Sequence, residues 1–366
     1  MRLIAEHLAA RGHIVYFVGK ILKHSFTSSK IEIINGVNVV YLSKYYNPLK
    51  VHYLNRLANL KHGKTIRGIL SDKKIDIVYT YYNLSLCKRY LKLKKSPEYN
   101  FKLVVRIAGM RWFEQIKVNA SLKEVYHHLF ETADSLNFIS HGLFQLYTDG
   151  LKDLEMTINS KHHFIKDIGV ALVTDKPIRV IDSTSETLNC VMVSRFSRYQ
   201  KRQDLLVEAI SLLAKEIPIH LTLIGEGPNK EKMMNQVKNL GLSERITFLP
   251  FLHQEVLWST VLNQNLLCHA CEYEGLSKII IESMAMGMPV LASDVLPLNS
   301  YISNGDNGFL VANSAEAWAQ KLKILYKEKA QFKKIGTAAS VYIKENYDAS
   351  INVLDYEKQF EKLMKQ

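Results

Sequence analysis

From Leu188 onward, short apolar runs alternate with amphipathic stretches, and this alternation limits the possible folds more than any other feature of the chain. Leu188 to Ser194, Ile219 to Ile224, Arg245 to Leu249, Leu266 to Ala270 and Pro289 to Ala292 are rich in apolar residues, as strands covered on both faces must be. Between them, Asp204 to Ala214, Lys230 to Leu240, His253 to Leu262 and Ser277 to Met286 read as helices, with apolar residues at helical spacing. Strands separated by helices pair parallel, because each connection crosses over the sheet and covers one of its faces. The spacing predicts a doubly covered parallel sheet.

The first half repeats the rhythm with weaker signals. Ile14 to Val18, Val37 to Leu42, Ile75 to Tyr79, Leu103 to Ile107 and Leu136 to Ile139 are candidate strands. A polar stretch between Ile168 and Leu188, with Pro177 and Asp182 to Ser185, reads as a linker. The expected class is α/β with two Rossmann-like domains, residues 1–170 and 171–345, followed by a helix over 346–366. That helix carries Ile351, Val353, Leu354, Tyr356, Phe360 and Leu363 on its apolar side. The start departs from the pattern. A Rossmann-like domain opens on a strand and a glycine-rich loop, whereas this chain opens in a helix, Met1 to Ala10, and the expected first strand is missing.

Composition bounds the partners. With 47% hydrophobic and 23% charged residues the 366-residue chain has a globular balance, which excludes a disordered or collagen-like chain. No apolar run approaches the roughly 20 residues of a membrane-spanning helix, and Glu6 and His7 interrupt what a signal peptide would keep apolar. A cytoplasmic location is expected. The net charge of +13 calls for anionic partners: nucleic acid, lipid headgroups or phosphorylated small molecules. Much of it lies in the first half, at Lys61, Lys64, Arg67, Lys88, Arg89, Lys92, Lys94 and Lys95, and reads either as solvated helix faces or as a lipid-facing patch.

Cys268 and Cys271 enclose His269 in a C-x-x-C, but Cys87 and Cys190 make no second pair, and a structural zinc site needs four ligands. The apolar flank from Asn265 to Cys268 reads as a buried strand whose cysteines serve as small hydrophobes. No metal site is expected.

The chemistry concentrates between Glu272 and Asp294: a strand end, a glycine turn, a helix, a second glycine turn and a buried strand. A helix starting at about Leu276 to Lys278 presents unpaired N–H groups and partial positive charge, which suits a diphosphate. Glu274 precedes that helix and Glu282 lies in its second turn. Phosphate repels carboxylates, so each glutamate is better matched to hydroxyl groups, and a ribose and a hexose flanking one diphosphate fit the arrangement.

This string, Glu274 and Glu282 with seven residues between them, resembles the E-x7-E segment of retaining GT-B glycosyltransferases, in particular glycosyltransferase family 4. Three further segments appear in the same order as in that family. Val193 to Ala209, with Arg195 and Lys201, resembles the Arg-to-Lys segment after the first donor-domain strand. Leu223 to Pro228 resembles the G-x-G-P turn, and Ile246 to Phe251 the strand near the nucleotide base. The resemblance implies that Arg195 and Lys201 neutralise the donor diphosphate, that Glu282 holds the ribose, and that Glu274 holds the transferred sugar. It implies backbone donors at Gly275, Leu276 and Ser277, a donor-side turn at Gly225, and no metal or cofactor beyond a UDP- or GDP-linked sugar. The Arg-to-Lys spacing is one residue longer than usual, which gives Arg198 a claim on the role of Lys201. Where the family often has His-Gly after its fourth strand, this chain has Arg106 to Gly109, and Arg106, Arg111 and Trp112 read as anion-binding or as packing.

The function so implied is metal-independent transfer of a hexosyl group, with retention, in a cleft between an acceptor domain and a donor domain. The last helix would cross back to the first domain. The acceptor would be a saccharide or lipid-linked saccharide in capsule- or lipopolysaccharide-type assembly, with the basic first half at the cytoplasmic face of the membrane. A nucleotide-sugar epimerase on the same architecture stays open. So does a truncated, non-catalytic nucleotide- or nucleic-acid-binding protein, although no nucleic-acid motif is present and no nucleic-acid partner is expected.

Overall fold

The structure, a computed structural model, describes residues 1–23, 30–45, 52–158, 162–171, 186–197 and 200–366. The central part of the expected linker, including Pro177 and Asp182, lies outside the described residues, as does Arg198. The first stretch runs α1 (Arg2–Ala10), β1 (Tyr16–Lys23), β2 (Lys30–Ile34), β3 (Val37–Tyr45), α2 (His52–Asp72), β4 (Ile77–Tyr81), α3 (Leu84–Lys94), β5 (Lys102–Ile107), α4 (Arg111–Val118), α5 (Leu122–Thr132), β6 (Ser135–Phe138), α6 (His141–Asp153) and β7 (His163–Ile165). The second runs β8 (Leu188–Val193), α7 (Gln203–Leu213), β9 (Ile219–Ile224), α8 (Lys230–Asn239), β10 (Ile246–Leu249), α9 (Gln254–Leu262), β11 (Leu266–His269), α10 (Lys278–Ala285), β12 (Val290–Ser293), β13 (Phe309–Val311), α11 (Ala315–Lys327) and α12 (Phe332–Asn346). It is followed by α13 (Ala349–Met364).

Two compact units result. One gathers Met1–Phe138, Asp149–Ala171 and Ala349–Gln366; the other gathers Ile139–Thr148 and Leu172–Asp348. Residues 139–148 therefore cluster with the second unit rather than with the residues before them.

The second unit is built on a six-stranded sheet in the order β10-β9-β8-β11-β12-β13, every pair parallel. The apolar runs make this possible. In β11 and β12 every residue is buried, so both faces need cover, and the crossover helices supply it. Cys190, Leu206, Leu221, Leu266, Trp318 and Phe332 belong to one continuous core. In chain order the strands lie 3-2-1-4-5-6, so the winding reverses between β8 and β11. Loops leaving the carboxyl ends of those two strands diverge and open a crevice between them, which is where open α/β sheets bind ligands. β13 escapes the sequence signals because its 3 residues are too short for a period to show.

In the first unit, the described strands form two sheets. β4-β5-β6-β7 is fully parallel, and β1-β3-β2 pairs β1 parallel and β2 antiparallel to β3. Among the described residues no strand precedes α1, and β1 and β4 are each a sheet edge. Both units have the alternating, parallel-stranded build of a Rossmann-like fold. Within the first unit α13 packs with α1, β5 and β7 through Ile4, Leu8, Val104, Phe164, Val353, Tyr356 and Leu363. Polar contacts fasten it: the Tyr356 hydroxyl donates to the Lys166 carbonyl at 2.7 Å, and Asn352 Nδ2 donates to the Asp167 carbonyl at 3.1 Å.

Arg106 is a packing and pairing residue. It is buried on β5, and its Nη2 donates to Asp167 Oδ2 at 2.6 Å, while Asp167 Oδ1 accepts from the Gly169 N–H at 2.7 Å. Trp112 is likewise buried, edge-on to Phe113 and Phe130. Breaking such an ion pair from one side leaves a carboxylate in an apolar surround, at a cost of roughly 3–5 kcal/mol. Arg106→Met is therefore expected to lower the unfolding free energy of this unit by about that amount. The double variant Arg106→Met with Asp167→Asn should recover part of it, measured by denaturant titration.

Candidate functional site: the crevice at the ends of β8 and β11

Two loops meet at the carboxyl ends of the central strands, and backbone pairing fixes both. After β8 the chain continues alongside the β9 turn: the Ser194 N–H donates to the Ile224 carbonyl at 3.0 Å, and the Phe196 N–H to the Glu226 carbonyl at 3.0 Å. That approach is possible only with glycine in the turn. A Cβ on Gly225, at φ +144°, would lie 2.1 Å from the Ser194 oxygen, and one on Gly227, at φ +155°, 2.3 Å from the Phe196 oxygen. Gly225 thus shapes the loop that carries Arg195. Lys230 closes the turn from the far side, donating to the carbonyls of Gly225 and Leu249 at 2.9 and 3.0 Å.

Farther along, the same loop lies antiparallel to the chain leaving β11. Lys201 and Cys271 form a bridge, flanked by hydrogen bonds from the Arg202 N–H to the Ala270 carbonyl (3.1 Å) and from the Glu272 N–H to the Gln200 carbonyl (3.0 Å). Arg202 adds ion pairs to Asp204 and Glu272. From behind, the Ser293 hydroxyl accepts from the Cys271 N–H and donates to Asn313 Oδ1. Asn313 Nδ2 returns to the Cys271 carbonyl at 2.8 Å. Residue 271 is held on both backbone groups, so the side chains on either side of it have defined positions.

The result is a cluster of three polar side chains. The Lys201 ammonium pairs with Glu274 Oε2, and His269 Nε2 lies 3.1 Å from that same oxygen and 3.2 Å from Lys201 Nζ. The Ser277 hydroxyl is 3.4 Å from His269 Nε2, and Glu274 Oε1 accepts the Gly275 N–H at 3.0 Å. The side chains of Lys201 and Glu274 are 13% and 14% exposed and that of His269 only 1%. Lys201 and Glu274 therefore border the crevice, with the imidazole beneath them. α10 begins directly after Ser277, so its first-turn N–H groups, which lack partners within the helix, lie beside this cluster.

The charges follow from the contacts. Burial favours the neutral acid at Glu274, but the hydrogen bond with His269 and the ammonium of Lys201 outweigh it and hold the carboxyl at about 2. Burial, reinforced by Lys201, pushes the His269 imidazole below its ordinary value against the opposing pull of Glu274. Near neutral pH the cluster is an ionised carboxylate, an ammonium and a neutral imidazole. An ionised carboxylate accepts hydrogen bonds and donates none, so Glu274 is suited to binding hydroxyl groups.

Of the residues expected from sequence, the structure brings Lys201, Glu274, Gly275 and Ser277 together. Glu282 lies half-buried in the second turn of α10, and Leu276 at the turn before it. Arg195 is exposed, and among the described residues its guanidinium makes no hydrogen bond or ion pair. The C-x-x-C cysteines are free and buried at the end of a buried strand, as expected, and His269 between them, which the sequence reading did not single out, lies within hydrogen-bonding distance of Lys201 and Glu274. The available signal was its position: a polar residue ending a buried strand at the carboxyl edge of the sheet. Among the described residues no helix is long and apolar enough to cross a membrane.

The fold and this crevice define a GT-B-type protein with two Rossmann-like units. Residues 176–341 match the family of glycosyl transferases group 1, so the second unit carries the segment characteristic of that family. Over 97% of its length the chain is 22% identical to N-acetyl-alpha-D-glucosaminyl L-malate synthase of Bacillus anthracis, covering 90% of that protein. Among solved structures, sucrose-phosphate synthase from Thermosynechococcus elongatus superposes with a TM-score of 0.78 at 19% identity, covering 100% of this chain and 92% of that one. Anabaena HepE in complex with UDP and glucose superposes with a TM-score of 0.70 at 15% identity, covering 90% and 87%.

A carboxylate held low in the native state stabilises it above the ordinary carboxylate pKa of about 4.3, and that stabilisation disappears as the pH falls towards 2. Glu274→Gln is therefore expected to lower stability by about 3 kcal/mol at pH 7. The deficit should shrink between pH 4 and 2, as followed by denaturant unfolding of both proteins across that range.

Proposed function

We propose that this protein is a retaining glycosyltransferase that moves a hexosyl group from a UDP- or GDP-linked donor to a saccharide or lipid-linked saccharide acceptor in surface-glycan assembly. The observation that carries the proposal is the Lys201–Glu274–His269 cluster directly before the N-terminus of α10, at the reversal point of the sheet. The donor diphosphate is placed on the first turn of α10, where backbone dipoles favour anions. As the bond from the anomeric carbon to the phosphate oxygen breaks, its electron pair leaves with the nucleotide, the acceptor hydroxyl oxygen bonds to that carbon on the same face, and the hydroxyl proton leaves on the departing diphosphate. Lys201 and the exposed Arg195 supply positive charge to offset the charge that builds there. No metal ion or further cofactor is invoked.

In this reading Glu282 accepts the ribose hydroxyls and Glu274, ionised, those of the transferred sugar, with Gly275, Leu276 and Ser277 shaping the sugar subsite and Gly225 the loop opposite. The UDP bound to Anabaena HepE makes UDP the first nucleotide to test. Lys88, Lys92 and Lys95 form an exposed stripe along and just beyond α3, which suits contact with the anionic cytoplasmic face of a membrane.

A thermal-shift panel of UDP, GDP and their sugar conjugates tests the donor site. A ligand at 100 times its Kd stabilises the native state by about 2.7 kcal/mol. One nucleotide series is expected to raise the melting temperature, and Glu282→Ala to abolish the rise. No shift with any nucleotide would overturn the proposal. Conversion of the donor sugar with no acceptor present would replace it with an epimerase, and salt-steep binding of nucleic acid with a binding protein.

A further inference from the structure

Donor binding sets a problem that the arrangement of this cluster answers. Without donor, Lys201 and Glu274 neutralise one another. A diphosphate competes for the ammonium, and once Lys201 turns to it, Glu274 loses its cation and faces a like-charged neighbour. Glu274 must nevertheless stay where the sugar hydroxyls meet it.

We infer that His269 is a positioning residue, which holds the Glu274 carboxylate in place while Lys201 exchanges that carboxylate for the donor diphosphate. The inference rests on the donor-site reading of these residues.

The geometry separates a mobile partner from a fixed one. Lys201 carries its charge on a flexible four-carbon stem. His269 is the last residue of β11, paired in register with Ala292 and 1% exposed at its side chain. The imidazole has nowhere to follow Lys201. The Gly275 N–H holds Oε1 of Glu274 and the imidazole holds Oε2, so both oxygens keep a partner when the ammonium leaves.

The tautomer follows from the same contacts. Among the described residues His269 Nδ1 has no hydrogen-bond partner. A buried N–H without a partner is rarer than a buried acceptor without one. The proton therefore sits on Nε2 and is donated to Glu274. The ammonium of Lys201, a donor only, is attached to the carboxylate and not to the ring.

The other titratable groups facing Glu274 do not offer a substitute. Burial raises Cys271 to about 12 and also raises Tyr301, so both are neutral near pH 7. Lys201 is then the one charged neighbour of Glu274 among the described residues that bond to it.

The test compares His269→Gln, which keeps a side-chain N–H donor, with His269→Leu, which keeps bulk alone, in the full chain. The readouts are the affinity ratio of the UDP-sugar to UDP and the acid limb of the kcat–pH profile, which reports the donor-bound enzyme. His269→Leu is expected to lose at least tenfold in the preference for UDP-sugar over UDP and to move the acid limb up by a pH unit or more. His269→Gln is expected to stay within about threefold of wild type.

Histidine 15N NMR on the wild type, with the His269 resonance assigned by its absence from the Gln variant, gives a readout that survives misfolding of the Leu variant. It should show the Nε2–H tautomer before and after UDP-sugar is added. An unchanged preference and acid limb in His269→Leu, or an Nδ1–H tautomer, would overturn the inference while UDP binding by wild type still upheld the donor site. Absence of UDP and GDP binding by wild type would overturn both.

Discussion

The site depends on one constraint of the backbone: the parallel sheet reverses its winding between β8 and β11, and the loops leaving those strands are then tied to one another. The reversal opens the crevice, but by itself it would place no side chain. The antiparallel bridge between Lys201 and Cys271, backed by Ser293 and Asn313, brings residues 68 to 73 positions apart into hydrogen-bonding contact. Without that bridge Lys201 would be one more surface lysine.

In the Arg-to-Lys segment, whose Arg198 lies outside the described residues, the structure gives Lys201 a defined place. Counting along the chain leaves Lys201 one position beyond the usual place, but counting along a loop is a poor guide once that loop pairs with another strand. The bridge sets Lys201 by its partner, Cys271, and its ammonium reaches Glu274 and His269. The glycines of the β9 turn act at the other end of the same loop, allowing two backbones to approach more closely than any side chain would permit.

The first unit shows how similar chemistry serves a different end. Arg106 and Asp167 are as close as a functional ion pair, yet both are buried and the contact joins β5 to the chain after β7. Tyr356 and Asn352 of α13 bond to the carbonyls of residues 166 and 167 in the same neighbourhood. This network satisfies buried polar groups where the last helix docks within its unit. The Lys201–Glu274 pair differs because it borders the crevice, where a ligand can compete for each partner.

The sequence by itself determined the class of the second unit and the approximate limits of four of its helices, α7 to α10, and of five of its strands, because each of those strands is covered on both faces and each of those helices has one apolar side. It determined the E-x7-E string and its flanking motifs for a similar reason: residues within one turn and one helix keep their relation wherever the fold puts them. The short strands β2, β7 and β13 stayed hidden, since three to five residues, in β2 mostly exposed, carry no usable period. Tertiary structure decided which distant side chains meet. In the sequence His269 was only the residue after a buried cysteine, and Arg106 read as anion-binding or as packing. Burial and partners separate them, for a charge or ring acts through what lies within a few ångströms of it, and that distance is set by the packing of segments far apart in the chain.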